Sequence, residues 1–290
     1  MLARGAHVAG VASRGYAGVG KTVLHIARRH GIPCFEPSVV ASASFASWLR
    51  AEGVDILLNV HSLVILPSEI VLAPVIGSFN LHPGPLPEYR GLNTPSWAIF
   101  EGQREYAVTL HWMDAGVDTG PTAFAEPIPV DEDDTGARLM LRCVRSGLPL
   151  IDRLLATAAS DRDEIPKVSQ PDLTVMMRGA GPPFPDGVPW DIDATTIARL
   201  IRASDFRPFA SPWGLPMTRR RTLELGLVQA KDLSGACQAM PGTVADVTSN
   251  GVSVATSDGW LDLQKVSVGQ RILDARLVLR VGDTLGGSGD

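Results

Sequence analysis

An α/β sheet domain followed by a small β-barrel-like domain is the fold class that this 290-residue sequence predicts, and three observations carry it. From His7 to Ala159 short apolar runs alternate with stretches of helical periodicity, the pattern of parallel strands joined by crossover helices. From Ser160 to Pro189 the chain turns rich in Pro, Gly and Asp, which is linker chemistry. Beyond that segment, short β-prone runs are split by Ser-Asn-Gly and Ser-Asp-Gly turns, as in a small barrel or open β-domain.

Taken in order, His7 to Ser13 is short, apolar and bounded by Gly and Arg, and reads as a buried strand. Thr22 to His30 has apolar residues at helical spacing and stops at Gly31-Ile32-Pro33. Phe45 to Glu52 reads as a second helix ended by Gly53, and Asp55 to Val60 as a strand covered on both faces. Pro67 to Leu72 makes one or two helical turns, Ile76 to Leu81 and Ala107 to Met113 are further strands, and Ala137 to Ala159 is a long helix. Past the linker, Asp193 to Ala203 is helical, and Gly242 to Val247, Gly251 to Thr256, Trp260 to Val266 and Leu277 to Val281 are expected strands. The resulting division is a first domain at 1–165, a linker at 166–189 and a β-domain at 190–290.

Composition narrows the function classes. Hydrophobic residues make up 45% and charged residues 20%, so a sizeable core can form. The net charge is 26 − 31 = −5, which gives no global pull toward nucleic acid or an anionic membrane. Cys34, Cys143 and Cys237 are far apart and form no C-x-x-C, which excludes a disulfide scaffold and a four-thiolate zinc site. The apolar run from Val54 to Phe79 is broken by Asn59, His61, Pro67, Ser68 and Glu69, so no membrane span is expected. The N-terminus lacks the apolar region of a signal peptide, and a cytoplasmic protein is the expectation.

Two motifs carry chemistry. Gly15 to Thr22 satisfies G-x-x-x-x-G-K-[ST] between a strand and a helix, the context of a phosphate-cradling loop. A nucleotide-binding enzyme also needs an acidic residue at the end of a later buried strand to hold Mg²⁺, but two candidate strands run into His61 and His82, and the third reaches Asp114 only after His111 and Trp112. A Gly-rich surface loop is the favoured reading, with a P-loop nucleotide-binding protein as the alternative. The second motif places Asn80 and His82 two apart at the C-terminal end of a strand, hence on one face, ahead of the rigid run Pro83-Gly-Pro-Leu-Pro87. Such strand ends are where open α/β sheets bind ligands. Asp114-Ala-Gly-Val-Asp118 adds a Gly-punctuated loop with two carboxylates. An amide, an imidazole and a carboxylate together polarise a carbonyl and move a proton, although an isolated Asn-x-His also serves purely structural roles.

The motifs N-L-H-P-G-P-L-P-E-Y-R-G-L-N at 80–93, T-L-H-W-M at 109–113 and D-A-G-V-D-T-G at 114–120 resemble the N10-formyltetrahydrofolate-dependent formyltransferases, the family of methionyl-tRNA formyltransferase and of the sugar and amino-acid N-formyltransferases. The resemblance covers roughly residues 6 to 160 well and the second domain more weakly, through Ile201-Arg-Ala203 and Pro208-Phe209. It implies a Rossmann-like parallel sheet domain, an OB-like β-barrel domain, N10-formyltetrahydrofolate as co-substrate and no metal. It also implies Asn80, His82 and Asp118 as catalytic residues, and Val64, Ile65, Leu66, His111, Asp114, Gly116 and Val117 lining the folate pocket. Asp114 is alternatively a loop-capping residue, and His111 a core histidine.

Two departures stand out. The family's opening strand and helix have no counterpart before His7–Ser13, so either the true start lies upstream or the sheet lacks its usual first strand, and the family's usual H-P-S-L-L-P reads His82-Pro-Gly-Pro-Leu-Pro87 here, removing a hydroxyl on the acceptor side. For a tRNA acceptor a basic β-domain is expected, yet residues 191–290 carry eleven Lys/Arg against eleven Asp/Glu, with Arg219-Arg-Arg221 the one basic run. The expected acceptor is therefore a small-molecule amine, an amino sugar nucleotide or an amino acid such as hydroxyornithine in natural-product biosynthesis. Methionyl-tRNA comes second. No nucleic-acid partner is expected, a homodimer is allowed, and a non-catalytic folate-binding module is the alternative of another class.

Overall fold

The computed structural model describes residues 5–13, 22–62, 64–171, 177–233 and 235–286. The Gly15–Thr22 motif falls outside them except for Thr22. In chain order the elements are β1 (Val11–Ala12), α1 (Val23–Arg29), β2 (Cys34–Phe35), α2 (Ala43–Ala51), β3 (Ile56–Val60), α3 (Ser68–Val71), β4 (Gly77–His82), α4 (Thr94–Glu101), β5 (Glu105–Trp112) and β6 (Thr122–Pro129). They continue with α5 (Gly136–Ser160), α6 (Ala194–Ala203), β7 (Met217–Arg220), β8 (Leu223–Leu233), β9 (Val244–Val247), β10 (Val252–Ala255), β11 (Trp260–Val268) and β12 (Arg271–Asp274). The chain divides into two compact units: Met1–Arg90, Ala107–Ile128 and Cys143–Met176 form the first, and Gly91–Tyr106, Pro129–Arg142 and Met177–Asp290 the second.

The first unit is a Rossmann-like α/β body. β1 pairs with β2 in parallel, and a second sheet runs in the order β3-β4-β5-β6. β3 and β4 are parallel, whereas β5 lies antiparallel to β4, so the sheet is mixed rather than uniformly parallel. The strand expected at His7–Ser13 contracts to Val11–Ala12. Local sequence explains the helices: Thr22 caps α1 by accepting from the His25 N–H, and Ser42 caps α2 by accepting from the Phe45 N–H. α2 turns Phe45, Ala46 and Leu49 into a cluster with Ile70, against which Phe35, Trp48 and Leu57 pack. On β4, alternation sends Phe79 and Leu81 into the core at 0% and 2% exposure, which leaves Asn80 and His82 on the opposite face. The long helix comes so close beneath that face's reverse that a Cβ on Gly147 would lie 2.7 Å from Leu81 Cδ2. This packing fixes which way the Asn80–His82 face looks.

The second unit is built on an antiparallel sheet in the order β7-β8-β11-β10-β9, with β12 also on β11. Leu225 and Leu227 of β8, Val252 and Val254 of β10 and Leu261, Leu263 and Val266 of β11 are fully buried. α6 packs its buried Ile197, Leu200 and Ile201 face over β8 and α4, starting at Asp193, which caps the Thr196 N–H at 2.7 Å. The strand expected at Leu277–Val281 does not form; β12 occupies Arg271–Asp274 instead. The Asp274 carboxylate accepts from the Arg276 N–H at 2.9 Å and starts a 3-10 turn over Ala275–Leu277, so local capping overrides the β-propensity of the Leu-Val-Leu run. Of the basic run, Arg219 and Arg220 lie on β7 and pair with Glu224 and Asp283 at 2.7 Å each, and Arg221 takes a turn conformation with φ 54°.

Candidate active site

Strand register assembles the site. Asn59 of β3 lies opposite Asn80 of β4, and Asn80 lies opposite His111 of β5, so one polar row crosses three strands. His82 lies opposite Thr109 in the next row, and the Thr109 hydroxyl donates to the Gly84 carbonyl at 2.8 Å, holding the loop that leaves β4. His82 and His111 are buried at 3% and 2% exposure, unusual depth for imidazoles and a sign that both are fully engaged.

Asp118 is the hub. Its carboxylate reaches three partners: Asn80 Nδ2 donates to Oδ1 at 3.2 Å, His82 Nδ1 stands 3.5 Å from Oδ2, and His111 Nε2 stands 3.6 Å from Oδ1. Asp118 takes up a left-handed conformation with φ 55°, which costs of order 1–3 kcal/mol in a non-glycine residue and must be enforced by its surroundings. Gln170 enforces it: its Nε2 donates to the carbonyls of Asp118 at 2.9 Å and Gly120 at 2.7 Å, while Arg90 donates twice to its Oε1. Gly120 is required here for a separate reason, since a Cβ would sit 1.9 Å from the Trp112 carbonyl.

Hydrogen-bond chemistry assigns the protons. His111 Nδ1 lies 2.7 Å from the Trp112 carbonyl, an acceptor only, so this nitrogen carries the proton. In this tautomer Nε2 is the ring's acceptor, and Asn80 Nδ2 donates to it at 3.1 Å. Asn59 Nδ2 donates to Asn80 Oδ1 at 3.0 Å, so both ends of the Asn80 amide are engaged. His82 Nε2 lies 2.6 Å from the Tyr89 carbonyl and must donate to it, which leaves its basic lone pair on Nδ1, facing Asp118. Burial pushes the His82 pKa below the ordinary histidine value. The Asp118 charge and the Tyr89 carbonyl oppose that shift, and His111 and His61 reinforce it. The arrangement is a desolvated base whose protonated form has a carboxylate waiting for it.

The remaining residues singled out in the sequence lie around this centre in different settings. Val64 and Leu66 are half-buried against the α2 cluster, while Ile65 between them is 79% exposed. Asp114 is exposed and caps its own loop, accepting from the Gly116 N–H at 3.0 Å and the Thr119 hydroxyl at 2.6 Å. Gly116 is exposed, and Val117 is 40% exposed. Sequence reasoning missed Asn59, Gln170, Arg90 and the Tyr89 carbonyl. Asn59 had a legible signal, an amide inside an otherwise apolar strand; the others depend on contacts made 50 or more residues away or through backbone atoms. Among the described residues no group of three or more His, Cys, Asp and Glu side chains forms a metal site.

Comparison with known proteins bears on this geometry. Residues 5–150 match the family model described as formyl transferase, and residues 187–281 match that of the formyl transferase C-terminal domain. A methionyl-tRNA formyltransferase of Legionella pneumophila is 30% identical over 258 residues, covering 88% of this chain and 79% of that protein. The methionyl-tRNA formyltransferase of Acidithiobacillus ferrooxidans is 30% identical over 262 residues, covering 88% and 81%. Among solved structures, the N-formyltransferase of Helicobacter canadensis, in complex with folinic acid and dTDP-3-aminofucose, superposes with TM-score 0.60 at 17% identity over 85% of this chain and 83% of that one. HypX of Aquifex aeolicus, in complex with tetrahydrofolic acid, superposes with TM-score 0.57 at 20% identity over 87% of this chain, which spans 43% of HypX.

Proposed function

The chain belongs to the formyl transferase family, and from that premise we propose that it transfers a formyl group from N10-formyltetrahydrofolate to the amine of a small-molecule acceptor, with Asn80, His82 and Asp118 as the catalytic residues. The observation that carries this reading is the convergence of an amide donor at 3.2 Å and an imidazole at 3.5 Å on one half-buried carboxylate. The acceptor nitrogen attacks the formyl carbon, and the carbonyl electron pair moves to oxygen. Asn80 Nδ2 donates to that oxyanion, exchanging its longer bond to Asp118 for one to the developing charge. The proton lost by the attacking amine goes to His82 Nδ1, where Asp118 stabilises the imidazolium. Collapse of the tetrahedral intermediate breaks the carbon–N10 bond, and His82 returns the proton to the departing folate nitrogen. The exposed apolar side chains of Ile65 and Val117 offer surface for the pterin, and His111 holds Asn80 in place.

For the acceptor, the charge balance of the second unit favours a small molecule over a nucleic acid with its long run of phosphates. Its Arg207, Arg219, Arg220 and Arg276 are each neutralised by a carboxylate within 2.7 Å. An amino sugar nucleotide or a hydroxylated amino acid fits this better than tRNA, and a natural-product pathway is the corresponding setting. The identity with methionyl-tRNA formyltransferases favours a second reading, formylation of methionyl-tRNA. Incubation with formyl-folate and a panel of amines, alongside charged initiator tRNA, separates them by mass spectrometry. A formyl mass gain on a small amine with none on tRNA supports the first reading, the reverse supports the second, and no gain on any acceptor in the presence of bound formyl-folate would point to a binding module.

A further inference from the structure

We propose that Asn59 is a positioning residue for the reaction: by donating to Asn80 Oδ1 it fixes which end of the Asn80 amide faces the reacting carbonyl. This rests on the role of Asn80 given above. An asparagine amide fits its site in two orientations related by a half turn, and only the one that presents –NH₂ can donate to an oxyanion. The polar row specifies that orientation from both sides. On one side His111 Nε2 and Asp118 Oδ1 are acceptors, 3.1 and 3.2 Å from Asn80 Nδ2. On the other, Asn59 Nδ2 is a donor 3.0 Å from Asn80 Oδ1. Turning the amide over would set donor against donor at Asn59 and oxygen against both acceptors at His111 and Asp118.

The two sides do not act equally through the reaction. In the resting site the acceptor side suffices to orient Asn80. As the oxyanion forms, one Asn80 N–H leaves for the substrate oxygen, and Asp118 turns its charge to the His82 imidazolium. The acceptor side is thus drawn on when orientation matters most. Asn59 keeps its bond throughout, and by accepting that bond the Asn80 carbonyl becomes more polarised, which strengthens its N–H groups as donors. Strand pairing makes this possible: the parallel register puts Asn59 directly opposite Asn80 on a half-buried strand. An interaction that grows stronger toward the transition state appears in kcat and hardly at all in ground-state binding.

The test compares N59L, which removes the donor, with N59D, which keeps the shape and puts an acceptor against Asn80 Oδ1. Turnover is read with whichever acceptor gains the formyl mass in the panel described above, and affinity with a non-reactive folate analogue. We expect kcat to fall about three- to tenfold in N59L, the range of one neutral hydrogen bond, and further in N59D, with analogue affinity within about threefold in both. A merely structural position would show the opposite order, since Asn→Asp is the gentler change in shape. Turnover unchanged in both variants, or N59L the more damaged, would overturn the proposal. Should N59D not fold, N59L decides alone by its kcat at unchanged affinity. N80A is run in parallel: if N80A itself turns over normally, the catalytic reading fails, whereas an inactive N80A beside a fully active N59L sinks only the role of Asn59.

Discussion

The two units use the same device, strand alternation, to opposite ends. In the β8–β11 sheet the inward positions Leu225, Leu227, Leu261 and Leu263 are aliphatic and fully buried, and what alternation achieves is stability. At the ends of β4 and β5 the buried positions include Ser78, His82, Thr109 and His111, polar groups whose desolvation is repaid only by specific partners. A sheet that buries imidazoles where it could bury leucines forgoes stability there for chemistry. All six histidines fall within the first 111 residues, so this division is written into the composition.

The largest expected effect tests that division on the polar side. H82A should lower turnover by about 10² or more while the protein stays folded, since the proposed mechanism gives the transferred proton to this group. Steady-state kinetics beside a thermal melt checks both halves of that statement. The mirror experiment is L263A in the aliphatic sheet: a buried Leu→Ala change costs about 2–5 kcal/mol of unfolding free energy, measurable by urea denaturation, while kcat at a temperature where the variant is folded should stay within about twofold.

Subtler changes sharpen the electrostatic part. Removing the Asp118 charge in D118N removes the influence that holds the His82 pKa up against burial, so the pKa falls further. Because His82 must be neutral to accept a proton, the acid limb of the pH–rate profile should move to lower pH in D118N, along with a loss of rate. A limb that stays put would separate Asp118 from His82. Stability carries the same sign: a histidine whose folded pKa lies below its unfolded value of about 6.5 stabilises the fold fully above that pH, and the contribution is lost as pH falls toward the folded pKa. The decline in unfolding free energy on acidification below about pH 6.5 should therefore be shallower in H82Q than in the parent. The smallest effect belongs to the glycine-rich motif: K21A should leave turnover within a few-fold, and micromolar Mg²⁺-dependent ATP binding abolished by K21A would revive the nucleotide-binding alternative.

Much of the fold was legible because it rests on local rules. Helical periodicity and Gly or Pro stops located α1, α2, α5 and α6 to within two residues of their expected ends, and the Asn80–His82 alternation followed from strand geometry alone. The antiparallel placement of β5 was not, since an apolar strand such as Ala107 to Met113 carries no mark of direction. Leu277 to Val281 misled because propensity yielded to the Asp274 cap. At the site, residue types could be named from their motifs, but the row from Asn59 to His111 depends on register, and the clamp of Gln170 on the Asp118 loop joins positions 52 apart. Pairings of that range leave no trace in a single sequence.

The most direct measurement follows an isotopically labelled formyl carbon from N10-formyltetrahydrofolate to the acceptor amine in a single turnover, for the parent and N80A side by side, with folate-analogue affinity measured on both. We expect the parent to transfer the label, and N80A to bind the analogue within about tenfold of the parent while transferring label about 10²–10³ times more slowly, the loss typical of one oxyanion donor. Label transfer by N80A at the parental rate would contradict a catalytic centre built on this row of strands.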